Sequence, residues 1–211
     1  MDKRLAVFDL DGTLTRHDTM FLFLCYVSGS WLNYVMRMFK AFPVLSAYEL
    51  GLRSASVCKL DLLNRFLQSI EPCDLAEKCA GFAECVDRDL RPGAASMIKG
   101  LKDEGFTIVL CSASPSLWVK PWGSAVGFDY VVCTELERTG AGKFVYRTPN
   151  CKGYEKVRRL KRLFGDDFTI DMAFGDSPSD EPLLSIARKA YMNPDFKKIL
   201  KSLISGSSDS K

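Results

Sequence analysis

Residues 5–15 read LAVFDLDGTLT, an apolar run that ends in two carboxylates and a glycine. The run that begins at Leu5 is rich in strand-forming residues, and it predicts a β-strand. Gly12 lets the backbone turn away sharply after this strand. We therefore expect Asp9 and Asp11 at the carboxyl end of the strand, projecting to the same side because they are two residues apart.

Two carboxylates this close repel each other unless a cation or a shared proton separates them. Open α/β sheets place their chemistry at this edge, so the pair predicts a magnesium-dependent reaction centre. A plain polar turn is the alternative interpretation, because Asp and Gly are ordinary turn residues. A calcium-binding EF-hand loop is excluded, because its obligatory Glu would fall at Met20.

The composition narrows the class of protein. Of the 211 residues, 47% are hydrophobic and 26% are charged, as in a folded soluble protein. The net charge of +3 gives no concentrated basic footprint, so no nucleic-acid partner is predicted. The single histidine, His17, leaves little material for a histidine metal site or a Ser-His-Asp triad. The eight cysteines match no zinc spacing and no signal peptide precedes the first strand, so we expect reduced thiols and a cytoplasmic protein.

The second half of the chain alternates between strand and helix patterns. Strands are predicted at 106–111, 130–134, 170–174 and 189–192, helices at 94–104, 154–164, 180–188 and 194–204, and a small hairpin around 144–146. Residues 206–211 are expected to fray. This alternation predicts an α/β fold with a doubly wound parallel sheet.

Residues 16–90 have a mainly helical pattern. We interpret them as an all-helical cap domain, inserted after the first strand into a core domain of residues 1–15 and 91–211. The first half of this insert is apolar, since only Arg37, Lys40 and Glu49 are charged between residues 20 and 52. No window reaches the 18 apolar residues of a transmembrane helix. Buried cap helices and a surface that contacts lipid are the two interpretations.

Polar side chains follow three of the predicted strands. These side chains are Asp9, Asp11, Ser112, Asp176 and Asp180, and a lysine from residues 152–156 adds a cation. Phosphoryl transfer needs a nucleophilic carboxylate, a second carboxyl group for the leaving-group proton, a metal ion and cationic donors. The set therefore predicts a phosphoryl-transfer site.

The order of these pieces resembles that of the haloacid dehalogenase superfamily of phosphatases. Asp9-Leu10-Asp11-Gly12-Thr13 is similar to its first motif, Ser112 to its second, a lysine to its third, and Gly175-Asp176-Ser177-Pro178-Ser179-Asp180 to its fourth. The resemblance implies a Rossmann-like core, a Mg²⁺ cofactor and a phosphomonoester hydrolase that passes through an aspartyl-phosphate.

Carried over by position, the resemblance implies that Asp9 is the nucleophile and Asp11 the general acid and base. Mg²⁺ would be held by the carboxylates of Asp9 and Asp176 and by the backbone carbonyl of Asp11. Ser112 would hydrogen-bond the phosphoryl oxygens.

Further residues would support this site. Asp180 and Thr13 take this role in the resemblance, and the phosphate-binding lysine is either Lys152 or Lys156. The run CKGYEKV at residues 151–157 resembles the Cys-x-Gly-x-Glu-Lys-Val run of subfamily IB, whose helical cap lies between the first two motifs. This pattern favours Lys156.

The substrate is less constrained. Subfamily IB includes phosphoserine phosphatases and the phosphatidylglycerophosphatase C branch. Ser112-Ala113-Ser114-Pro115 departs from the Ser-Gly-Gly of phosphoserine phosphatases, and the cap has no evident pair of acidic and basic residues to bind an amino acid. A small phosphorylated metabolite is the first expectation. A lipid head-group phosphate at a membrane and a phosphomutase reaction are the alternatives, ahead of a non-enzymatic phosphate-binding scaffold.

Overall fold

The computed structural model describes residues 4–208, with side chains described to residue 203. Its strands are β1 (Leu5–Phe8), β2 (Thr107–Pro115), β3 (Tyr130–Thr134), β4 (Leu136–Arg138), β5 (Phe144–Tyr146), β6 (Ile170–Gly175) and β7 (Ala187–Met192). Five of them form a parallel sheet in the order β3-β2-β1-β6-β7, and β4 and β5 form an antiparallel hairpin. The predicted doubly wound parallel sheet and the hairpin are confirmed.

Eleven α-helices are present in the described part of the chain. They are α1 (Thr19–Val27), α2 (Trp31–Lys40), α3 (Phe42–Glu49), α4 (Ala55–Leu67), α5 (Pro72–Gly81), α6 (Ala83–Asp89), α7 (Ala94–Asp103), α8 (Ser116–Val126), α9 (Tyr154–Phe164), α10 (Glu181–Leu184) and α11 (Phe196–Ser208). The first seven lie between β1 and β2 in the chain, and six of them, α1 to α6, fall within residues 16–90, which confirms the helical insertion after the first strand. Within residues 4–208, no helix alone has the length and hydropathy to cross a bilayer; α1 and α2 qualify only as a pair, bent by 113°.

The central strand β1 is apolar throughout because helices cover both faces of the sheet. Val7 packs on one face with Val109 and Ala173, whereas Phe8 points to the other. There the ring of Phe8 stacks on that of Phe174 at 4.5 Å between centroids. Because β1 is the central strand, the loop that follows it lies at the middle of the carboxyl edge of the sheet.

The helical insert is connected to the sheet domain at two places. The two segments that connect the insert to the sheet domain are neighbours, because Thr15 at its start and Leu90 at its end form a β-bridge. At the α8 side, the Trp118 ring stacks on Phe23 of α1 at 4.6 Å, and the Trp122 indole donates a hydrogen bond to Asp87 at 2.8 Å. The insert and one face of the sheet therefore share one hydrophobic cluster.

Several predicted boundaries are wrong. Helix α8 was not predicted, because Pro121 and Gly123 inside it are unfavourable in helices. A glycine is needed there because a β-carbon on Gly123 would lie 2.8 Å from Val131, where the helix packs on the sheet. Strand β2 continues to Pro115 instead of ending at Cys111.

Errors at the C-terminal end have a similar local cause. The helix predicted for 180–188 ends at Leu184, because the chain turns into the edge strand β7, whose exposed Arg188 and Lys189 obscure its strand pattern. The last helix, predicted to end at residue 204, continues to Ser208. The predicted fraying of residues 206–211 is not seen as far as Ser208, and its last three residues lie outside the described part of the chain.

Candidate active site

The loops after β1, β2 and β6 meet at the carboxyl edge of the sheet, under helices of the insert. A cavity of about 380 Å³ lies between them. Its sheet side is lined by Asp9, Asp11, Ala113, Lys156, Asp176 and Asp180. Its helical side carries Asp18, Met20, Phe21, Leu45, Tyr48 and Lys59. The structure thus brings the two carboxylates of the predicted first motif, Asp9 and Asp11, to the same cavity as those of the predicted fourth motif, Asp176 and Asp180.

Asp9 lies one residue beyond the end of β1. Its backbone N–H donates to the Phe174 carbonyl at 3.0 Å, so the sheet ladder holds the residue in place. Asp9 and Asp11 line the same cavity, as expected, but β1 ends at Phe8, so they lie in a loop and strand alternation is not the cause. The loop conformation decides where each carboxylate points.

Lys156, in the first turn of α9, forms a buried ion pair at the centre of the site. Its Nζ lies 2.5 Å from Oδ1 of Asp9 and 2.7 Å from Oδ1 of Asp180, and only 2% of the residue is exposed. Lys152 also borders the cavity but is exposed. The geometry thus places Lys156, and not Lys152, against the predicted nucleophile.

Burial and charge perturb the ionisation of these groups. Burial raises the pKa of Asp9 to about 7, although the Lys156 ammonium opposes the shift. Burial also works to lower the pKa of Lys156, but the charge of Asp9, together with that of Asp180 and the other polar contacts of the ammonium, outweighs it and holds that pKa above its usual range. Burial and the charge of Asp180 raise the pKa of Asp176. One ammonium among three carboxylates leaves excess negative charge, which favours a cation.

Three carboxylates could hold that cation. Asp9, Asp176 and Asp180 offer oxygens that all lie within 4.8 Å of one another. Both oxygens of Asp180 are already engaged, Oδ1 by Lys156 and Oδ2 by the Ser177 hydroxyl at 3.0 Å. The hard-oxygen donor set suits Mg²⁺, and it fits Asp9 and Asp176 as carboxylate ligands with Asp180 in support.

Thr13 lies beside the predicted metal ligand. Its hydroxyl donates to Oδ1 of Asp176 at 3.2 Å, and the residue is fully buried. This contact ties the loop after β1 to the loop after β6. It agrees with the supporting role expected for Thr13.

Asp11 is held by two residues that the sequence analysis missed. The Thr19 backbone N–H and hydroxyl each donate to Oδ1 of Asp11 at 2.6 Å, and the Ser114 hydroxyl donates to Oδ2 at 2.5 Å. The Trp118 indole in turn donates to the Thr19 hydroxyl at 2.9 Å. Ser114 could have been found from its position two residues after Ser112 on the same strand end, whereas nothing in the sequence marks Thr19.

Ser112 contacts Ser114 but does not border the cavity. Its side chain is fully buried, and its hydroxyl accepts a hydrogen bond from the Ser114 backbone N–H at 3.0 Å. The cavity surface at this loop is formed by Ala113. Phosphate binding by Ser112 stays a prediction.

The expected lack of an acidic and basic pair in the insert is also wrong. Asp18 and Lys59 both line the cavity and interact electrostatically. Asp18 is the N-cap of α1, where its Oδ1 accepts from the Met20 N–H at 2.8 Å. Burial, and then the charge of Asp11, raises the pKa of Asp18. The pair was missed because the two residues lie 41 positions apart and line one cavity only when α1 and α4 pack.

Comparison with known proteins identifies the family of this chain. Protein CicA of Caulobacter vibrioides (strain NA1000 / CB15N) is 33% identical over 192 residues, covering 89% of this chain and 85% of that protein. A solved protein of unknown function from Bordetella pertussis Tohama I has a TM-score of 0.75 at 23% identity, covering 98% and 97% of the two chains. A structure of phosphoserine phosphatase in its apo form has a TM-score of 0.59 at 18% identity, covering 95% and 98%. The family model for haloacid dehalogenase-like hydrolases matches residues 6–185, and the chain therefore belongs to that family.

Proposed function

We propose that this protein is a Mg²⁺-dependent phosphatase that hydrolyses the phosphomonoester of a small metabolite through an aspartyl-phosphate. The observation that carries the proposal is the buried Asp9 carboxylate, which faces the cavity with the Lys156 ammonium on one of its oxygens. A carboxylate in this position has a free oxygen for attack and a cation to balance phosphoryl charge. Membership of the hydrolase family and the phosphoserine phosphatase fold agree with it.

The proposed reaction has two steps. A carboxylate oxygen of Asp9 attacks phosphorus, the ester P–O bond breaks, and Asp11 gives its proton to the leaving oxygen. Asp11 then takes a proton from water, which attacks the same phosphorus and releases phosphate and free Asp9. When bound at Asp9, Asp176 and the Asp11 carbonyl, Mg²⁺ would offset the negative charge of carboxylates and phosphoryl oxygens.

The remaining residues bind and orient these groups. Lys156 would contact the phosphoryl oxygens, and Asp180 would hold Lys156 in place through its 2.7 Å contact. Thr19 and Ser114 would fix the direction of the Asp11 carboxyl group. We infer that residues 16–90 act as a cap domain, since their helices supply the wall opposite Asp9.

The leaving group would lie against that wall. Asp18 and Lys59 offer one acidic and one basic group, which suits a small polar alcohol carrying its own charges. The apolar residues Phe21, Leu45 and Tyr48 on the same wall favour a second candidate, the phosphate of a lipid head group. A panel of phosphorylated metabolites and lysolipid phosphates separates the two.

Hydrolysis of p-nitrophenyl phosphate tests the proposal. We expect release of inorganic phosphate with Mg²⁺, none with EDTA, and none from Asp9→Asn. Acid quenching should trap one phosphoryl group per chain on the wild type only. Turnover that persists in Asp9→Asn would overturn the aspartyl-phosphate mechanism, phosphoryl transfer without release of phosphate would indicate a mutase, and silence on all substrates would indicate a scaffold.

A further inference from the structure

Helix α2 presents its apolar side to solvent. At 100° per residue, Trp31, Leu32, Val35, Met36 and Phe39 share one side of the helix, and we call these five residues the α2 face. Trp31 is 70% exposed, Leu32 68% and Phe39 80%, and no residue of α2 is buried. These five side chains form an exposed apolar surface on the helical insert.

The opposite side of α2 makes the contacts with the protein. The Tyr34 ring lies 6.2 Å from that of Phe66, and Arg37 donates a hydrogen bond to the Phe66 carbonyl at 3.3 Å. A surface helix normally turns its apolar side to the core and its polar side to water. In α2, Tyr34 and Met38 do pack on the core, but the five residues of the α2 face are exposed to solvent, and an exposed apolar surface of this kind marks an interaction site.

Basic residues are in excess near the α2 face, where a groove that includes Met36 is lined by Arg37, Lys40 and Lys78 as well as by Glu71 and Asp74. Between Thr19 and Arg53 the charged residues are Arg37, Lys40, Glu49 and Arg53, so three are basic and one is acidic. Lys40 is exposed at the border of the α2 face, and it forms no ion pair with any residue in the described range 4–208. A partner of this surface should therefore be apolar with a negatively charged rim.

We propose that the α2 face docks on the surface of an anionic lipid bilayer. Apart from the Trp31 indole, its side chains carry no group that could hydrogen-bond a protein partner, and the helix satisfies its own backbone groups. Ten residues are too few to cross a bilayer, but a short helix with Trp and Phe on one side and a Lys at its edge can lie in the interface. The negative head groups would then meet Lys40.

The position of the substrate cavity agrees with such docking. Phe21 of α1 and Tyr48 of α3 line the cavity, and both are also partly exposed to solvent. These two helices flank α2 in the chain. The inference itself does not rest on the proposed phosphatase activity, because the α2 face contributes no residue to the cavity.

Tryptophan fluorescence gives a direct test. Of the three tryptophans, Trp118 and Trp122 are buried, so Trp31 alone reports on the surface. We expect a blue shift of emission and loss of acrylamide quenching when the full chain meets phosphatidylglycerol vesicles. Phosphatidylcholine vesicles should produce at least a fivefold weaker response, because each basic residue near an anionic surface contributes about 1 kcal/mol.

Vesicle flotation with matched variants separates the contribution of the apolar side chains to binding from that of the Lys40 charge. Trp31→Gln combined with Phe39→Gln should lower partitioning into phosphatidylglycerol vesicles by about tenfold or more, as two large side chains lose burial. Lys40→Gln should lower it about fivefold. The controls Leu163→Gln with Ile186→Gln, which remove exposed apolar groups elsewhere, and Lys99→Gln should leave it unchanged.

Other results would overturn the proposal. These are no binding of wild type to phosphatidylglycerol vesicles, equal binding to phosphatidylcholine, or equal loss in the controls. A lipid-free dimer that the Trp31→Gln, Phe39→Gln variant dissociates would assign the α2 face to a second copy of the chain. Thermal melts check the fold, and Leu32→Gln provides a second apolar variant if the double one melts early. Hydrolysis of p-nitrophenyl phosphate, measured on the same samples, tests the catalytic proposal separately.

Discussion

A β-carbon on Gly12 would lie 2.2 Å from Oδ2 of Asp176, closer than any side chain could tolerate. Gly12 also has a φ of +78°, a conformation that side chains disfavour. The loop after β1 can therefore pass against the predicted metal ligand only because residue 12 has no side chain. The glycine is as much a part of the candidate site as the carboxylates beside it.

Gly12→Ala should displace Asp176 and abolish Mg²⁺-dependent hydrolysis of p-nitrophenyl phosphate. The positive φ alone costs about 1 kcal/mol of unfolding free energy, and the clash adds to it. Gly105→Ala is the matched control, because Gly105 has a φ of +79° and no atom within 4 Å of a β-carbon. Chemical denaturation and activity should show a larger loss for Gly12→Ala, and equal losses would contradict the contact.

Lys156→Met should remove turnover, whereas Lys152→Met should retain most of it. Removing Lys156 also leaves Asp9 and Asp180 buried without a cation, which costs about 3–5 kcal/mol of stability. Lys156→Arg keeps the charge and so separates loss of fold from loss of turnover. Steady-state kinetics measure turnover and thermal melts measure stability. If Lys152→Met is inactive while Lys156→Met retains turnover, Lys152 and not Lys156 is the phosphate-binding lysine.

The stability of the metal-free protein should depend on pH through Asp9. Its pKa is about 7 when folded and about 3.8 when unfolded, so the folded state binds the extra proton between these values. The free energy of unfolding should therefore fall as pH rises from about 4 to about 7, by at most about 1.4 kcal/mol per pH unit from this group. Denaturation in EDTA should show this slope in wild type and a smaller one in Asp9→Asn.

The stabilisation of the protein by Mg²⁺ should increase with pH, whereas the stability of the metal-free protein decreases. Because Mg²⁺ competes with the proton on Asp9, its stabilising effect should be greater at pH 8 than at pH 5. Melting temperatures with and without Mg²⁺ at both values measure the difference. A stabilisation that is independent of pH, or that persists in full in Asp9→Asn, would place the ion elsewhere.

Asp18→Asn should weaken the binding of a charged leaving group without disturbing α1. Asn is as good an N-cap as Asp and keeps the acceptor for the Met20 N–H. With phosphoserine, or the best charged ester of the panel, KM should rise about tenfold in Asp18→Asn and in Lys59→Gln, while p-nitrophenyl phosphate is little affected. An equal change with both substrates would argue against the pair as a leaving-group site.

Thr19→Val should lower kcat about tenfold, because Asp11 loses one of the hydroxyl groups that direct it. It should also cost about 1 kcal/mol of stability, since the Trp118 indole loses its acceptor. Thr19→Ser restores the hydroxyl and should restore kcat. If the Ser and Val variants are equally slow, restoring the hydroxyl does not restore kcat, and the hydrogen bond to Asp11 does not explain the loss.

Much of the fold was predictable from local pattern. The apolar run of β1, the bounds of α9 and the strand at Tyr130–Thr134 follow from side-chain periodicity, which is a property of neighbouring residues. Helix α8 was not predictable in this way, because the packing of Gly123 on Val131 outweighs the poor local preference of its residues.

The candidate site divides in the same manner. The sequence by itself determined the acidic loop at Asp9 and Asp11 and the loop at Asp176 and Asp180, because these motif residues lie beside recognisable strand ends. The resemblance of residues 151–157 to a family run favoured Lys156 over Lys152. Only the tertiary structure decided that Thr19 and Ser114 hold Asp11, that Ser112 does not border the cavity, and that Asp18 and Lys59 line the same cavity. These contacts join residues from separate elements, and their directions are set by how the helical insert packs on the sheet edge and not by any local preference of the chain.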